Sequence, residues 1–204
     1  MQSYWCDLAW LGGDTALAGV LVEVDSVGSI SSVTEGVARP SDAYRLPGLT
    51  LPGMANTHSH AFHRAVRGRT QAGIGSFWTW REQMYEAAAR LDPDSYFRLA
   101  RATYGEMVLA GITCVGEFHY VHHGPGGVRY GNPNAMGEAL VAAAAEVGLR
   151  LTLLDTCYLH GGIGVEPNEV QMRFSDGDGS SWASRASAMK ATDLCRVGAA
   201  IHSV

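Results

Sequence analysis

Two histidines separated by one residue, His58-Ser59-His60, are the sharpest chemical signal in the chain. In an extended backbone residues i and i+2 point the same way, so the two imidazoles converge on one point. Neutral imidazole is the commonest nitrogen ligand for a divalent metal such as Zn or Fe. Taken alone, an H-x-H pair is more often solvated or buried in a core than bound to metal, so its surroundings have to decide. A second histidine-rich stretch, His119-Tyr120-Val121-His122-His123, follows an apolar run. It is expected to be a wet loop at the mouth of the fold rather than a second metal site. His160 is expected at a loop tip. Gly161-Gly162 lacks the Lys-Ser/Thr that a phosphate loop requires.

The elements that position these residues change character along the chain. Residues 4 to 50 read as short strands separated by turns, among them Leu17 to Val24 and Tyr44 to Leu49, with no helix between them. They predict a small β-sheet or sandwich. After Pro52, strand-like and helix-like stretches alternate. A buried strand over Leu49 to Ala55 is expected to end in the loop Asn56 to His60. A long loop-and-helix stretch follows, then a helix over Asp94 to Ala110, introduced by Asp92-Pro93 and stopped by Gly111. Ile112 to Phe118 reads as a strand, and Asn134 to Val147 as an alanine-rich helix stopped by Gly148. Leu149 to Thr156 reads as a strand, Ser175 to Ser181 as a surface loop, Trp182 to Leu194 as a helix and Arg196 to Ile201 as a strand. Near-continuous apolar strands alternating with helices predict a parallel sheet, doubly wound or in a (β/α) barrel. In such folds ligands bind at the C-terminal ends of the strands, where the H-x-H pair falls.

Composition limits the function classes. The 204 residues carry 15 Lys+Arg and 20 Asp+Glu, a net charge of −5, with 47% apolar residues. That composition excludes a disordered chain and gives no basic footprint for nucleic acid. The apolar run Ala16 to Val24 is about half the length a bilayer span needs. No basic segment followed by an apolar stretch opens the chain, so no secretory signal is expected. Cys6, Cys114, Cys157 and Cys195 form no C-x-x-C pair and read as free thiols of a reducing cytoplasm.

The segment Leu51-Pro52-Gly53-Met54-Ala55-Asn56-Thr57-His58-Ser59-His60 resembles the metal-binding strand of the amidohydrolase superfamily. Further motifs in order resemble its formimidoylglutamate deiminase family: Phe77-Trp78-Thr79-Trp80-Arg81-Glu82, Gly116-Glu117-Phe118-His119-Tyr120-Val121-His122-His123, Asp155 to Gly162, Arg173 to Asp176 and Gly198 to Val204. The resemblance runs from about Pro47 to the last residue and is weakest in the β-rich start.

The resemblance implies a metal-dependent (β/α)8 TIM-like barrel with a small β-sandwich. Residues 1–50 would form the N-terminal part of the sandwich and 51–204 the first half of the barrel. It implies one divalent metal, Zn2+ or alternatively Fe2+, held by His58 and His60 with ligands from later strands. That metal would make a bound water acidic enough to attack at neutral pH. The implied substrate is N-formimino-L-glutamate, an intermediate of histidine degradation, hydrolysed to N-formyl-L-glutamate and ammonia. The alternatives are a related deaminase acting on a ring amine, a nucleobase or triazine-like ring, or a non-functional fragment. Two substrate carboxylates call for cations and donors. Arg81 is then the expected carboxylate clamp, and Tyr120 and His202 further substrate ligands. His63 stands where the family tends to carry Gln and is expected to keep the substrate contact. Glu117 is expected to face inward and orient a ligand histidine. The remaining ligands and the catalytic acid/base are expected beyond Val204. The family also suggests a homodimer and a cytoplasmic location. A half barrel would expose sheet edges, so the isolated chain is expected to be inactive and prone to self-association.

Overall fold

The computed structural model describes residues 2–70 and 75–202. Its contacts divide the chain into two compact units, one up to Gly53 and the other from Met54 onward.

The first unit is one mixed four-stranded sheet in the order β3-β2-β1-β4, made of β1 (Gln2–Ala9), β2 (Leu17–Val24), β3 (Ile30–Thr34) and β4 (Tyr44–Thr50). Strand β1 runs antiparallel to β2 and parallel to β4. Its small core gathers Cys6, Ala9 and Val20, with Leu17, Val22 and Leu46 packed against them.

The second unit is a four-stranded, all-parallel sheet in sequential order: β5 (Met54–Ser59), β6 (Ile112–His119), β7 (Arg150–Cys157) and β8 (Cys195–Ile201). Helices α1 (Phe77–Ala89) and α2 (Pro93–Leu109) connect β5 to β6, α3 (Ala135–Val147) connects β6 to β7, and α4 (Gly179–Ala186) precedes β8. Short 3-10 turns lie at Ala61–Val66, Pro125–Gly127 and Gln171–Arg173.

Local chemistry explains the helix limits. Asp92 caps α2 by accepting from the Ser95 amide at 2.7 Å, while the Ser95 hydroxyl accepts from the Asp92 amide at 2.9 Å. Such a reciprocal cap is worth about 1 kcal/mol. Pro93 follows at the first helical position, where its missing N–H costs nothing. Helix α3 ends at Gly148 with φ of 73°, a left-handed conformation that L side chains resist.

One sheet face is buried under the helices. Val115, Leu151 and Leu153 pack there with Ala100, Tyr104, Leu140, Ala143 and Ala144. The other face carries Cys114, Gly116, Phe118, Thr152 and Leu154, which are half-buried or exposed.

Several sequence expectations need correction. The H-x-H strand is Met54–Ser59, with His58 inside it, rather than a buried strand ending at Ala55. Leu49 and Thr50 pair instead with Leu8 and Ala9 at the end of β4. Helix α4 spans Gly179–Ala186 rather than Trp182 to Leu194; it starts three residues earlier because Asp178 caps it, accepting from the Ser181 amide at 2.8 Å. The stretch 175 to 181 is not simply a surface loop, since Asp176 within it is buried beneath Arg185.

Candidate metal and substrate site

Each parallel strand delivers an aromatic or imidazole ring as its first residue beyond the C-terminal end. These are His60 after β5, Tyr120 after β6, Tyr158 after β7 and His202 after β8. The rings contact one another: His60–Tyr120 centroids lie 5.7 Å apart, Tyr120–His202 5.5 Å and Tyr158–His202 4.2 Å. The register is staggered, with Ser59 level with Glu117, His119 level with Asp155 and Cys157 level with Ile201, so the four exits follow one another along one rim.

His60, His63, Arg81, Tyr120 and His202 line a single cleft of about 380 Å³. Its walls include Trp80, Met84, Tyr85, Tyr158 and Phe174. His58 lies in an adjoining recess with Thr57, Gly116, Phe118 and Leu154, and that recess shares His60 and His202 with the cleft.

The Nε2 atoms of His58 and His60 face each other at 3.2 Å. Two Zn–N bonds of about 2.0–2.1 Å at a tetrahedral angle place their nitrogens about 3.3 Å apart, so the pair fits two corners of a metal site. His60 Nδ1 lies 3.2 Å from the Phe118 carbonyl and donates to it in the tautomer that leaves Nε2 with a lone pair. Burial lowers the His60 pKa, which favours that neutral form.

His63 and Tyr120 are hydrogen-bonded, Nε2 to Oη, at 3.0 Å. Burial first, with His60 and His58 adding to it, lowers the His63 pKa to about 3. His63 is therefore a neutral hydrogen-bonding group at physiological pH. Burial likewise pushes the Tyr120 phenol well above its ordinary value, so Tyr120 keeps its proton.

Arg81 sits on α1, four residues before Tyr85. Its Nε donates to Tyr85 Oη at 2.9 Å, and its guanidinium carbon lies 5.0 Å from the Tyr85 ring centroid and 5.6 Å from that of Trp78. The two outer nitrogens make no hydrogen bond or ion pair among the described residues. Among the described residues of the second unit, the ion-paired arginines are Arg64, Arg67, Arg101, Arg129 and Arg185.

Glu117 does not face the cleft. It shares the helix-side face with Val115 and His119 and is fully buried. Its Oε1 accepts from the Ala61 amide at 2.6 Å, so it acts on the residue following His60 rather than on an imidazole. Burial raises its pKa to about 7 against the opposing effects of Ser59, Ala61 and Tyr104.

The expected wet histidine loop is in fact interior: His119, His122 and His123 are each 1% exposed. His119, His122 and Asp155 bring potential ligand atoms within 4.8 Å of one another. That cluster already contains its cation. Arg185 donates to both Asp155 oxygens at 2.8 Å, and Trp182 Nε1 donates to Oδ1 at 2.8 Å. His122 Nε2 is committed to the Thr156 carbonyl at 2.9 Å. A divalent ion there would have to displace the Arg185 guanidinium from Asp155. Sequence reasoning missed this network because Asp176, Arg185 and the histidines are far apart in the chain. It also missed Tyr85, Tyr158 and Phe174. The strand-exit position would have flagged Tyr158.

Residues 49–194 match the amidohydrolase family. The chain belongs to that family. A curated relative, formimidoylglutamate deiminase of Pseudomonas aeruginosa, is 43% identical over 162 residues, covering 78% of this chain and 36% of the relative. The 8-oxoguanine deaminase of the same organism is 28% identical over 121 residues, covering 57% and 26%. An amidohydrolase crystal structure from Brucella melitensis superposes with a TM-score of 0.87 at 33% identity, over 99% of this chain and 46% of that one. Atrazine chlorohydrolase of Arthrobacter aurescens, solved with zinc, shares the fold with a TM-score of 0.73 at 19% identity, over 100% and 47%. The chain thus spans less than half the length of each of these proteins.

Proposed function

We propose that this amidohydrolase is a metal-dependent deiminase that hydrolyses N-formimino-L-glutamate to N-formyl-L-glutamate and ammonia, a step of histidine degradation in the cytoplasm. Water adds across the C=N bond and the nitrogen leaves as ammonia, so the reaction balances without a further reactant. The observation that carries the reading is the cleft itself. With the recess that adjoins it, it combines the convergent His58/His60 pair with an arginine that has no acidic partner among the described residues.

His58 and His60 would hold one divalent ion, with Zn2+ favoured by the all-nitrogen donor pair. Such an ion polarises a C=N bond and makes water ionise near neutral pH. The chain's own residues bind and orient the substrate. Arg81 presents a fork of donors that matches a carboxylate. Tyr120 keeps its phenolic proton for a hydrogen bond, and neutral His63 fixes that hydroxyl. His202 lines the cleft opposite, against Tyr158. The rings of Trp80, Tyr158 and Phe174 limit water around the bound ligand.

The test is a substrate panel on the natural protein. Ammonia release from N-formimino-L-glutamate should exceed release from 8-oxoguanine and aminotriazines, and a chelator should abolish it. Arg81→Ala should cost about 10- to 150-fold in kcat/KM, the worth of a charge-assisted hydrogen bond. Preference for a ring amine, with indifference to Arg81, would overturn the reading in favour of a purine-type deaminase.

A further inference from the structure

We infer that Tyr85 is a positioning residue that holds Arg81 so that its two outer nitrogens face an anionic group in the cleft. The inference rests on the reading of Arg81 as a carboxylate binder.

An arginine side chain has several soft torsions, and an unpaired one in a cleft samples many of them, at an entropic cost when it binds. Here the inner nitrogen is committed. Arg81 Nε donates to Tyr85 Oη at 2.9 Å from one helical turn away. The guanidinium plane is flanked by the Tyr85 and Trp78 rings, at 5.0 and 5.6 Å from the guanidinium carbon. Tyr85 is itself held. Its ring packs on Phe174 at 6.1 Å, and its hydroxyl neighbours that of Tyr158, which accepts from Gln171 Nε2 at 2.7 Å. With Nε occupied and both aromatic neighbours in place, the side that remains for recognition is the outer pair of nitrogens. That is the side used in bidentate contact with a carboxylate. A phenol suits this role better than a carboxylate, because it takes one hydrogen bond without neutralising the charge meant for the ligand.

The probe is glutarate, an unreactive dicarboxylate, with glutaramide as its neutral counterpart. Calorimetry on the natural protein gives both affinities. Tyr85→Phe keeps the ring and removes only the acceptor. It should weaken glutarate about five- to tenfold, leave glutaramide unchanged and place the loss in substrate turnover in KM rather than kcat. In an Arg81→Lys background, which has no Nε, the same Tyr85→Phe change should have no further effect. A merely structural role would weaken both ligands and cost the same in either background, and that result would overturn the inference. Equal glutarate binding by wild type and Tyr85→Phe overturns it too, while leaving the carboxylate reading intact. A wild-type protein indifferent to glutarate overturns the carboxylate reading and the inference with it.

Discussion

Replacing Arg185 by methionine removes the cation from a buried polar network while roughly keeping its volume. Arg185 is 6% exposed, and it donates to both oxygens of Asp155 at 2.8 Å and to those of Asp176 at 3.0 and 3.1 Å. It also donates to Asn134 Oδ1 at 3.1 Å. Burial pushes both carboxyl pKa values up, but hydrogen bonds and charge from Arg185 and the histidines outweigh it. Asp155 sits below its ordinary value and Asp176 at about 2. The Arg185→Met variant therefore leaves two buried carboxylates without their main cation, Asp155 keeping Trp182 and Asp176 keeping His123 at 3.0 Å and Arg129 at 3.8 Å, and breaking a buried pair from one side costs about 3–5 kcal/mol. The cost depends on pH in a defined direction. In the wild type, both aspartates have depressed folded pKa values, so their stabilisation is present above the unfolded value near 4. For Asp176 it amounts to at most about 2.5 kcal/mol and is lost as pH falls toward about 2. In the variant, desolvation acts unopposed by the guanidinium, the carboxyls bind protons more readily, and the deficit shrinks on acidification. Urea unfolding at pH 7 and pH 5, followed by tryptophan fluorescence, measures both quantities. A loss below about 1 kcal/mol at pH 7, or an equal loss at both pH values, refutes the charge argument.

Further outcomes follow from the same geometry. Glu117→Gln keeps an acceptor for the Ala61 amide but removes the titration. The wild-type folded state holds a proton on Glu117 up to about pH 7, against an unfolded value near 4.5. Wild-type stability should therefore fall as pH rises through that window, by up to about 3 kcal/mol, and the variant's should not; parallel pH profiles of the unfolding midpoint would contradict this. His58→Ala with His60→Ala should empty the protein of divalent metal by elemental analysis, whereas Asp155→Asn should leave the metal content unchanged; the reverse pattern would move the site to the buried cluster. Arg173→Met strips donors from the carbonyls of Ala88, Leu91 and His123 and should cost about 3 kcal/mol or more, read from chemical denaturation.

What the sequence disclosed was local. Asp92-Pro93 and Gly148 mark helix ends through backbone chemistry that needs no partner, and the structure keeps both. The apolar strands β6, β7 and β8 follow from composition alone. The full extent of α1 was hidden because its signal is a Ser76/Thr79 cap, with Thr79 Oγ1 accepting from the Ser76 amide at 2.8 Å, rather than the Asp or Glu pattern that marks a helix start most plainly. The burial of His119, His122 and His123 was illegible for a different reason. Histidine is polar when unpaired, and its partners arrive later in the chain: Thr156 for His122, Asp176 for His123 and Arg185 for the acids. The inward expectation for Glu117 failed on strand parity. It lies two residues from Val115 and from His119, all on the helix side, while Phe118 between them faces the other way.

That parity links stability to the site. Along β6 the helix-side residues Glu117 and His119 alternate with Phe118, whose carbonyl meets His60 Nδ1. Beyond the strand, Tyr120 enters the cleft, while His122 and His123 turn back into the interior, where their amides donate to the Arg173 carbonyl at 3.0 and 2.9 Å. The Arg173 side chain closes the clamp by donating to the His123 carbonyl at 2.9 Å and to Leu91 just past α1, the helix that carries Arg81 and Tyr85. The next residue, Phe174, lines the cleft. The buried arginines thus tie together segments that each supply one wall of the site. A core substitution such as Arg173→Met should therefore disturb ligand affinity before it unfolds the protein, because the walls lose their common anchor while each element keeps its own backbone hydrogen bonds.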